Sequence, residues 1–375
     1  MEWFYLTVAV VIIAAVLCSL FFPGDNPDLE HECTSWMVFH DLTKNNTNIL
    51  HKNRDAKTRD IAVLLSPAES PRKWVALGTT TTNMGISTTG FAGVMNSGEI
   101  CTEPSPTEEK NTAALFQIIL DSCDTAAQAV DKLKELLDGG HYTHGPKGSI
   151  YFFMDVNEGY ICEMTTGTFT VQPYKSGHAV RANIWNNPGM QYCSRSSLEY
   201  YLGSSARAYT AYSGLNKALD KNGRISLRDI FELSRRSDLD EGTELERSLC
   251  YKKTNSAASL EIDRQYPDVL SGGYFAVGHP NHTVYIPVPV CAEKLLPSMT
   301  DFSWSKAAFK RFDILGYSSP LPEKWKKFED ESFARYTAAR ETARKLLDEG
   351  KREAAIKLIN DTAYAIWCEA ESLLI

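Results

Sequence analysis

The sequence predicts an α+β protein: a four-layer αββα sandwich, two antiparallel sheets between helical layers, with a C-terminal helical extension. Three observations predict it. Strand-like and helical runs come in blocks rather than as regular strand–helix repeats. The strand-like runs are joined by short polar or glycine-containing turns of the kind that link antiparallel neighbours. From Glu323 to Leu374 the pattern is helical almost throughout. No G-x-G-x-x-G follows a strand and no G-x-x-x-x-G-K-[ST] occurs, so neither a doubly wound parallel sheet nor a nucleotide-phosphate cradle is indicated.

The elements follow in chain order. Cys33–Asp41 is rich in strand-favouring residues, 42–48 is a polar turn, and 48–55 reads as a second strand, so the three form a hairpin. Segments 60–67 and 73–82 are two more strands, and 84–99 reads as short strands broken by glycines. Between Asn111 and Leu137 apolar residues recur at helical spacing. The break at 121–124 divides the run into two helices, Asp124 is the expected cap, and Gly139-Gly140 ends the second helix. Segment 148–174 alternates and turns at Asn157–Gly159, a strand meander, and His178–Trp185 is another strand. Helices are expected over 194–202, 206–219 and after Ser226, an expected N-cap. Segments 255–263 and 274–290 complete the sheets, and a break near 348–350 divides the C-terminal helices.

The N-terminus stands apart from this pattern. From Trp3 to Phe22 there is no charged residue, and aromatics flank both ends. A helix of that length spans roughly 30 Å, the hydrocarbon core of a bilayer. A cleaved secretory signal is the competing reading, although the basic n-region and small-residue cleavage site it usually carries are missing. The chain is therefore expected to be membrane-anchored or extracytoplasmic. Residues 23–32 are acidic and rich in turn formers, an exposed linker. The expected division is 1–22 anchor or signal, 23–32 linker, 33–318 catalytic domain and 319–375 helical extension.

Composition narrows the function. The net charge of −8, with no basic block, argues against a nucleic-acid-binding surface. The nine cysteines are scattered and none forms a C-x-x-C pair, so neither a thiolate zinc site nor a disulfide-stapled scaffold is indicated. His279 and His282 share a turn without an evident third ligand, and no metal or cofactor is expected.

One cysteine stands out. Cys33 opens a strand at the end of an acidic linker. A thiol attacks as the thiolate, and a free α-amino group has a pKa of about 7.7–8.0. If cleavage after Glu32 makes Cys33 the first residue, its own amine can take the thiol proton, and no histidine is needed. Amide cleavage also needs donors at the developing oxyanion, which asparagine supplies without titrating. Lys52 or Arg54 could help hold the thiolate.

The run C-T-S-W at Cys33, N-R-D at Asn53–Asp55 and G-F-A-G-V-M-N-S-G at Gly90–Gly98 together resemble the cysteine N-terminal-nucleophile hydrolases. The likeness is to the penicillin and isopenicillin-N acyltransferases and, more distantly, to choloylglycine hydrolases and acid ceramidases. R-A-N-I-W at Arg181–Trp185, T-N-S-A-A-S-L-E at Thr254–Glu261 and the run from Tyr274 extend it, so it covers roughly 33–289. The resemblance implies an N-terminal-nucleophile-type sandwich and autocatalytic cleavage before Cys33. It implies an amidase or acyltransferase that opens a linear amide bond of a small molecule through a thioester. By position it makes Cys33 the nucleophile, Asp55 the carboxylate that hydrogen-bonds the nucleophile's amine or thiol, and Asn96 the oxyanion donor, with Asn183 second. It leaves the anchor and the C-terminal helices unexplained. Two other readings stay open: a conventional thiol hydrolase pairing Cys33 with a distant histidine, and a membrane-tethered, non-catalytic binding domain of the same fold.

Overall fold

Among the described residues, the named strands all pair antiparallel. The computed structural model describes residues 31–102, 115–141, 147–237 and 248–375. The apolar segment 3–22 and the linker up to residue 30 lie outside the described residues. Among the described residues, no helix is long and apolar enough to cross a membrane.

A six-stranded sheet runs in the order β10 (His178–Arg181), β1 (His31–Val38), β2 (Asn48–Ala56), β11 (Thr254–Ile262), β12 (Gly272–Ala276) and β13 (Tyr285–Pro289). A seven-stranded meander takes β3 (Ala62–Leu65), β4 (Trp74–Gly78), β5 (Thr82–Ser87), β6 (Ala92–Ile100), β7 (Lys147–Met154), β8 (Gly159–Met164) and β9 (Phe169–Tyr174) in sequence order. Strand residues alternate between faces, and both faces of each sheet are apolar. Met37, Leu50, Leu260 and Phe275 belong to the inner face of the six-stranded sheet and share a buried core with Val75, Leu77, Val94 and Phe152 of the other.

Helices cover the outer faces. On the meander, Trp74, Tyr151, Phe153 and Met164 pack under α1 (Leu115–Ser122) and α2 (Ala126–Asp138), which contribute Leu115, Phe116, Ile119 and Leu133. The opposite layer holds α3 (Leu198–Asn222), α4 (Leu227–Ser234), the short α5 (Pro267–Leu270), α6 (Pro297–Thr300) and α7 (Ser303–Leu315), and the long pair α8 (Glu323–Asp348) and α9 (Arg352–Leu374). The result is the αββα sandwich, with the C-terminal helices part of its outer layer.

Those C-terminal helices are tied down by charge as well as by apolar burial. Glu261, buried on β11, accepts from Thr47 Oγ1 at 2.9 Å and pairs with Arg340 of α8. Arg340 also lies 3.7 Å from Asp263, which pairs with Arg344. Burial pushes the Asp263 pKa up, but the hydrogen bond from Arg344, with Tyr266 and Arg340 behind it, brings it below the usual carboxylate range. On α9, Trp367 Nε1 donates to the Pro287 carbonyl at 2.7 Å, holding the helix against edge strand β13.

The structure corrects three local expectations and adds one helix. Thr125, not Asp124, caps α2: its extended backbone lets the side chain accept from Gln128 N, while Asp124 pairs with Arg72. The two helices expected over 194–202 and 206–219 are one, α3, capped by Ser197 and running through Gly203-Ser204-Ser205. Ser204 and Arg207 are fully buried there, so tertiary contacts override the weak local preference. The strand expected over 178–185 stops at Arg181. Helix α7 had no counterpart in the sequence reading. Ser226 does cap α4, in a reciprocal capping box with Asp229.

Candidate active site

The early end of β10 creates the site. β10 pairs with β1 at Ser35–Val38 and no further, so Cys33 lies past its end. There the backbone N–H of Cys33 donates to a side chain, Asn183 Oδ1, at 2.9 Å. Asn183 reaches it because the chain leaves the sheet after Arg181. The same Oδ1 accepts from Arg207 Nη2 at 2.7 Å, and Asn183 Nδ2 donates to the Ser97 carbonyl at 2.8 Å. Two donors on the oxygen and a carbonyl at the nitrogen settle which way this amide points. Arg207, buried in α3, also bonds Thr34 Oγ1 at 3.3 Å, so one guanidinium ties Asn183 to the strand carrying Cys33.

The Asn183 segment is wedged from behind. The Trp185 ring lies over Gly148, where a Cβ would come within 2.2 Å of it, so glycine is required. Trp185 N donates to Glu99 Oε1 at 3.0 Å, and burial pushes the Glu99 pKa up to about 7 against these hydrogen bonds. Tyr200 OH donates to the Gly98 and Asn183 carbonyls at 3.1 and 3.4 Å.

β2 supplies the charge. Cys33 stands opposite Arg54 and Ser35 opposite Lys52, so all four share the face toward the meander sheet. Ser35 Oγ donates to Asn96 Oδ1 at 2.7 Å across the gap. The Lys52 side chain donates to the Met95 carbonyl, and the Cys33 thiol acts on it electrostatically. Burial lowers the pKa of Lys52 and of Arg54, and Cys33 and Asp55 oppose that shift electrostatically. Asp55 is the next residue along, on the alternate face, where Thr254 Oγ1 donates to its Oδ1 at 2.7 Å. It acts on Lys52 and Arg54 through its charge.

Asn96 Nδ2 donates to the Ala182 and Arg181 carbonyls at 3.2 and 3.4 Å. It thus anchors the turn that presents Asn183, rather than aiming an open donor at Cys33. Cys33, Asn96 and Asn183, far apart in the chain, therefore come together at one end of the sandwich, with Asp55 beside them on the alternate face of β2. Sequence reasoning missed Arg207: a lone arginine within S-S-A-R-A-Y gives no signal, and its role exists only once α3 packs on β1. A Cys–His contact does occur, but away from Cys33. It joins Cys250 to His279 at 3.7 Å, with both buried, the thiol pKa pushed up and the imidazole held down to about 3. No group of His, Cys, Asp and Glu fit to hold a metal occurs among the described residues.

One variant tests the Asn183 knot directly. Asn183→Leu removes the acceptor of both a buried guanidinium and the Cys33 N–H. It is expected to lower stability by about 3 kcal/mol in urea denaturation, and Asn183→Asp, which keeps an acceptor there, by much less.

No protein-family model matches the chain, and no curated protein sequence matches it. Among solved structures it is similar to a variant of the conjugated bile acid hydrolase from Clostridium perfringens, with 10% identity and a TM-score of 0.48 over 70% of this chain and 94% of that one. It is also similar to the penicillin V acylase from Agrobacterium tumefaciens, with 14% identity and a TM-score of 0.43 over 68% of this chain and 86% of that one. At these levels the roles of residues rest on this chain's own geometry.

Proposed function

We propose that the protein is an autoprocessed cysteine amidase or acyltransferase that opens a linear amide bond, of an acyl-amine or acyl-amino acid, through a thioester at Cys33. The observation that carries this reading is the hydrogen bond from the Cys33 backbone nitrogen to Asn183 Oδ1. A residue in mid-strand would normally spend that N–H on a neighbouring strand. Here a side-chain acceptor, itself fixed by Arg207 and Ser97, waits on the nitrogen that cleavage would turn into an amine.

In the mature chain that amine takes the Cys33 proton, and sulfur attacks the substrate carbonyl. Asn183 orients the amine. Asn183 is the amide donor assigned to the oxyanion, through the Nδ2 hydrogen not directed at Ser97, and Asn96, given the same role by the resemblance, would serve it only by turning its Nδ2 from the Ala182 and Arg181 carbonyls. The protonated amine passes its proton to the leaving nitrogen, and the thioester goes to water in hydrolysis or to an amine in acyl transfer. Exposed apolar surface from Leu198, Tyr201 and Leu202, in the turns of α3 around Tyr200, suits an apolar acyl group. Residues 3–22 would tether the precursor to a membrane, and cleavage before Cys33 would separate the catalytic body from them.

Intact-mass measurement of the purified full-length product tests this reading. A chain beginning at Cys33, which gains the mass of an acyl group on brief exposure to an activated acyl donor, is the expected result. An active enzyme that keeps residues 1–32 joined to Cys33 would overturn it.

A further inference from the structure

Cleavage of the precursor before Cys33 needs a base that the α-amine cannot yet supply. In the precursor the Cys33 nitrogen is a peptide N–H that donates to Asn183 Oδ1, so it can accept no proton. The strand runs unbroken through Glu32 and Cys33, which holds the bond to be cut in extended form with Glu32 opposite Asp55 and Cys33 opposite Arg54. Something else must take the thiol proton before the sulfur can attack.

Four groups around that thiol can be weighed. Arg54 does not give up its proton at working pH. Asp55 lies on the alternate face, with Thr254 on its Oδ1, and a carboxylate is a weak base toward a thiol. His51 is stacked on Trp36 with its ring centroid 4.1 Å away, and its nitrogens lie 2.7 and 2.9 Å from Ser259 Oγ and Asn53 Oδ1, on the face turned from Cys33. Lys52 remains. It lies on the face of Cys33, two residues along β2 from Arg54, 1% exposed, with its Nζ on the Met95 carbonyl.

Building on the autoprocessing reading, we infer that Lys52, as the neutral amine, is the general base of the precursor: it draws the proton from the Cys33 thiol so that the sulfur can attack the Glu32 carbonyl. The proton moves from Sγ to Nζ, and the Sγ–C bond forms. The C–N bond between Glu32 and Cys33 then breaks as Nζ returns its proton to the departing Cys33 nitrogen. Water cleaves the resulting thioester, releasing the Glu32 carboxylate and restoring the thiol. Two features favour the neutral amine: burial beside the Arg54 cation, and a carbonyl rather than a carboxylate as the ammonium's hydrogen-bond acceptor. The groups that act on its charge are Cys33 and Arg54 on its own face and Asp55 from the alternate face. Once cleavage has freed the α-amine, a base becomes available on Cys33 itself, so two bases serve in succession.

The test follows release of residues 1–32 from the full-length chain, synthesised in vitro and chased between pH 6 and 10. The variants are Lys52→Arg and Lys52→Met, with thermal melts to verify folding. Wild-type cleavage should speed up with pH and level off below the ordinary lysine value of about 10.4. Lys52→Arg keeps the positive charge but cannot accept a proton, so it should cleave at least ~100-fold more slowly, as should Lys52→Met. Cleavage of Lys52→Arg within about threefold of wild type would overturn the inference and leave the autoprocessing reading standing, as would a flat wild-type pH profile, which needs no variant to fold. A wild-type chain that is never cut before Cys33 would overturn both.

Discussion

Cys33→Ala is expected to stop two reactions at once: the purified chain should keep residues 1–32 at full intact mass, and amide turnover should fall by about 10⁴-fold or more. The size of the effect follows from the arrangement of the site. Ordinarily nucleophile and base are separate residues, and removing one leaves the other in place. Here the sulfur and the nitrogen that becomes the base belong to one residue, so losing the thiol removes the attacking atom and also prevents the amine from being generated. The fold should survive. Cys33 is a small buried side chain, alanine fits its volume, and the backbone N–H to Asn183 is untouched. A Cys33→Ala protein with an unchanged melting transition and no turnover would therefore place the loss in chemistry. Retained turnover would exclude the mechanism, and it would direct attention to Cys250, whose histidine neighbour at 3.7 Å is the feature a conventional thiol enzyme would need. Both of those groups are buried and neutral at pH 7, with the Cys250 thiol pKa raised and His279 held down to about 3, so that pair is poorly disposed to form a thiolate.

How much of this could be read from the sequence depended on whether a feature was local. The hairpin carrying Cys33 and Arg54 was legible because alternation, a polar turn and strand-favouring residues all act within a few residues. The helical pair at the C-terminus was legible for the same reason, but its docking was not, because Arg340 meets Glu261 only after the sheet has formed. Cys33, Asp55, Asn96 and Asn183 could be named one by one. Their geometry could not, because it turns on where β10 ends. Asn183 reads as a strand residue, and it holds the Cys33 nitrogen only because the chain leaves the sheet two residues earlier. Arg207 was beyond reach altogether. It lies next to a Gly-Ser-Ser stretch that local rules read as a break, and its contacts with Thr34 and Asn183 span 173 and 24 residues of sequence.

Acid should unfold the protein above pH 3, and two buried histidines should account for much of the loss. Burial holds His51 down to about 3, against a hydrogen bond to Asn53 Oδ1 that pulls the other way. His279 is also held down to about 3, by burial and then by the neighbouring charge of His282. In the unfolded chain both titrate near 6.5. The unfolded state therefore binds more protons between pH 6.5 and 3, and stability falls with pH throughout that window, with the full loss reached below 3. Each shift corresponds to about 5 kcal/mol at the acid limit, and the pair together is comparable to the whole stability of a typical domain, about 5–15 kcal/mol. Glu99 acts in the opposite sense. Its pKa is raised by burial to about 7, so its protonation between 7 and 4.5 favours the fold and should soften the upper part of the acid limb. Asp263, held low chiefly by Arg344 against its burial, adds to the loss at the bottom of the range. The curve should thus bend: shallow from pH 7 to about 4.5, where the histidines and Glu99 oppose each other, then steep below. His51→Asn separates the contributions. Loss of stacking on Trp36 lowers its stability at every pH, but the difference between its unfolding free energies at pH 7 and pH 4 should be about 3 kcal/mol smaller than in wild type. Urea denaturation at the two pH values measures that difference, and an unchanged value would show that His51 is not kept neutral in the folded protein.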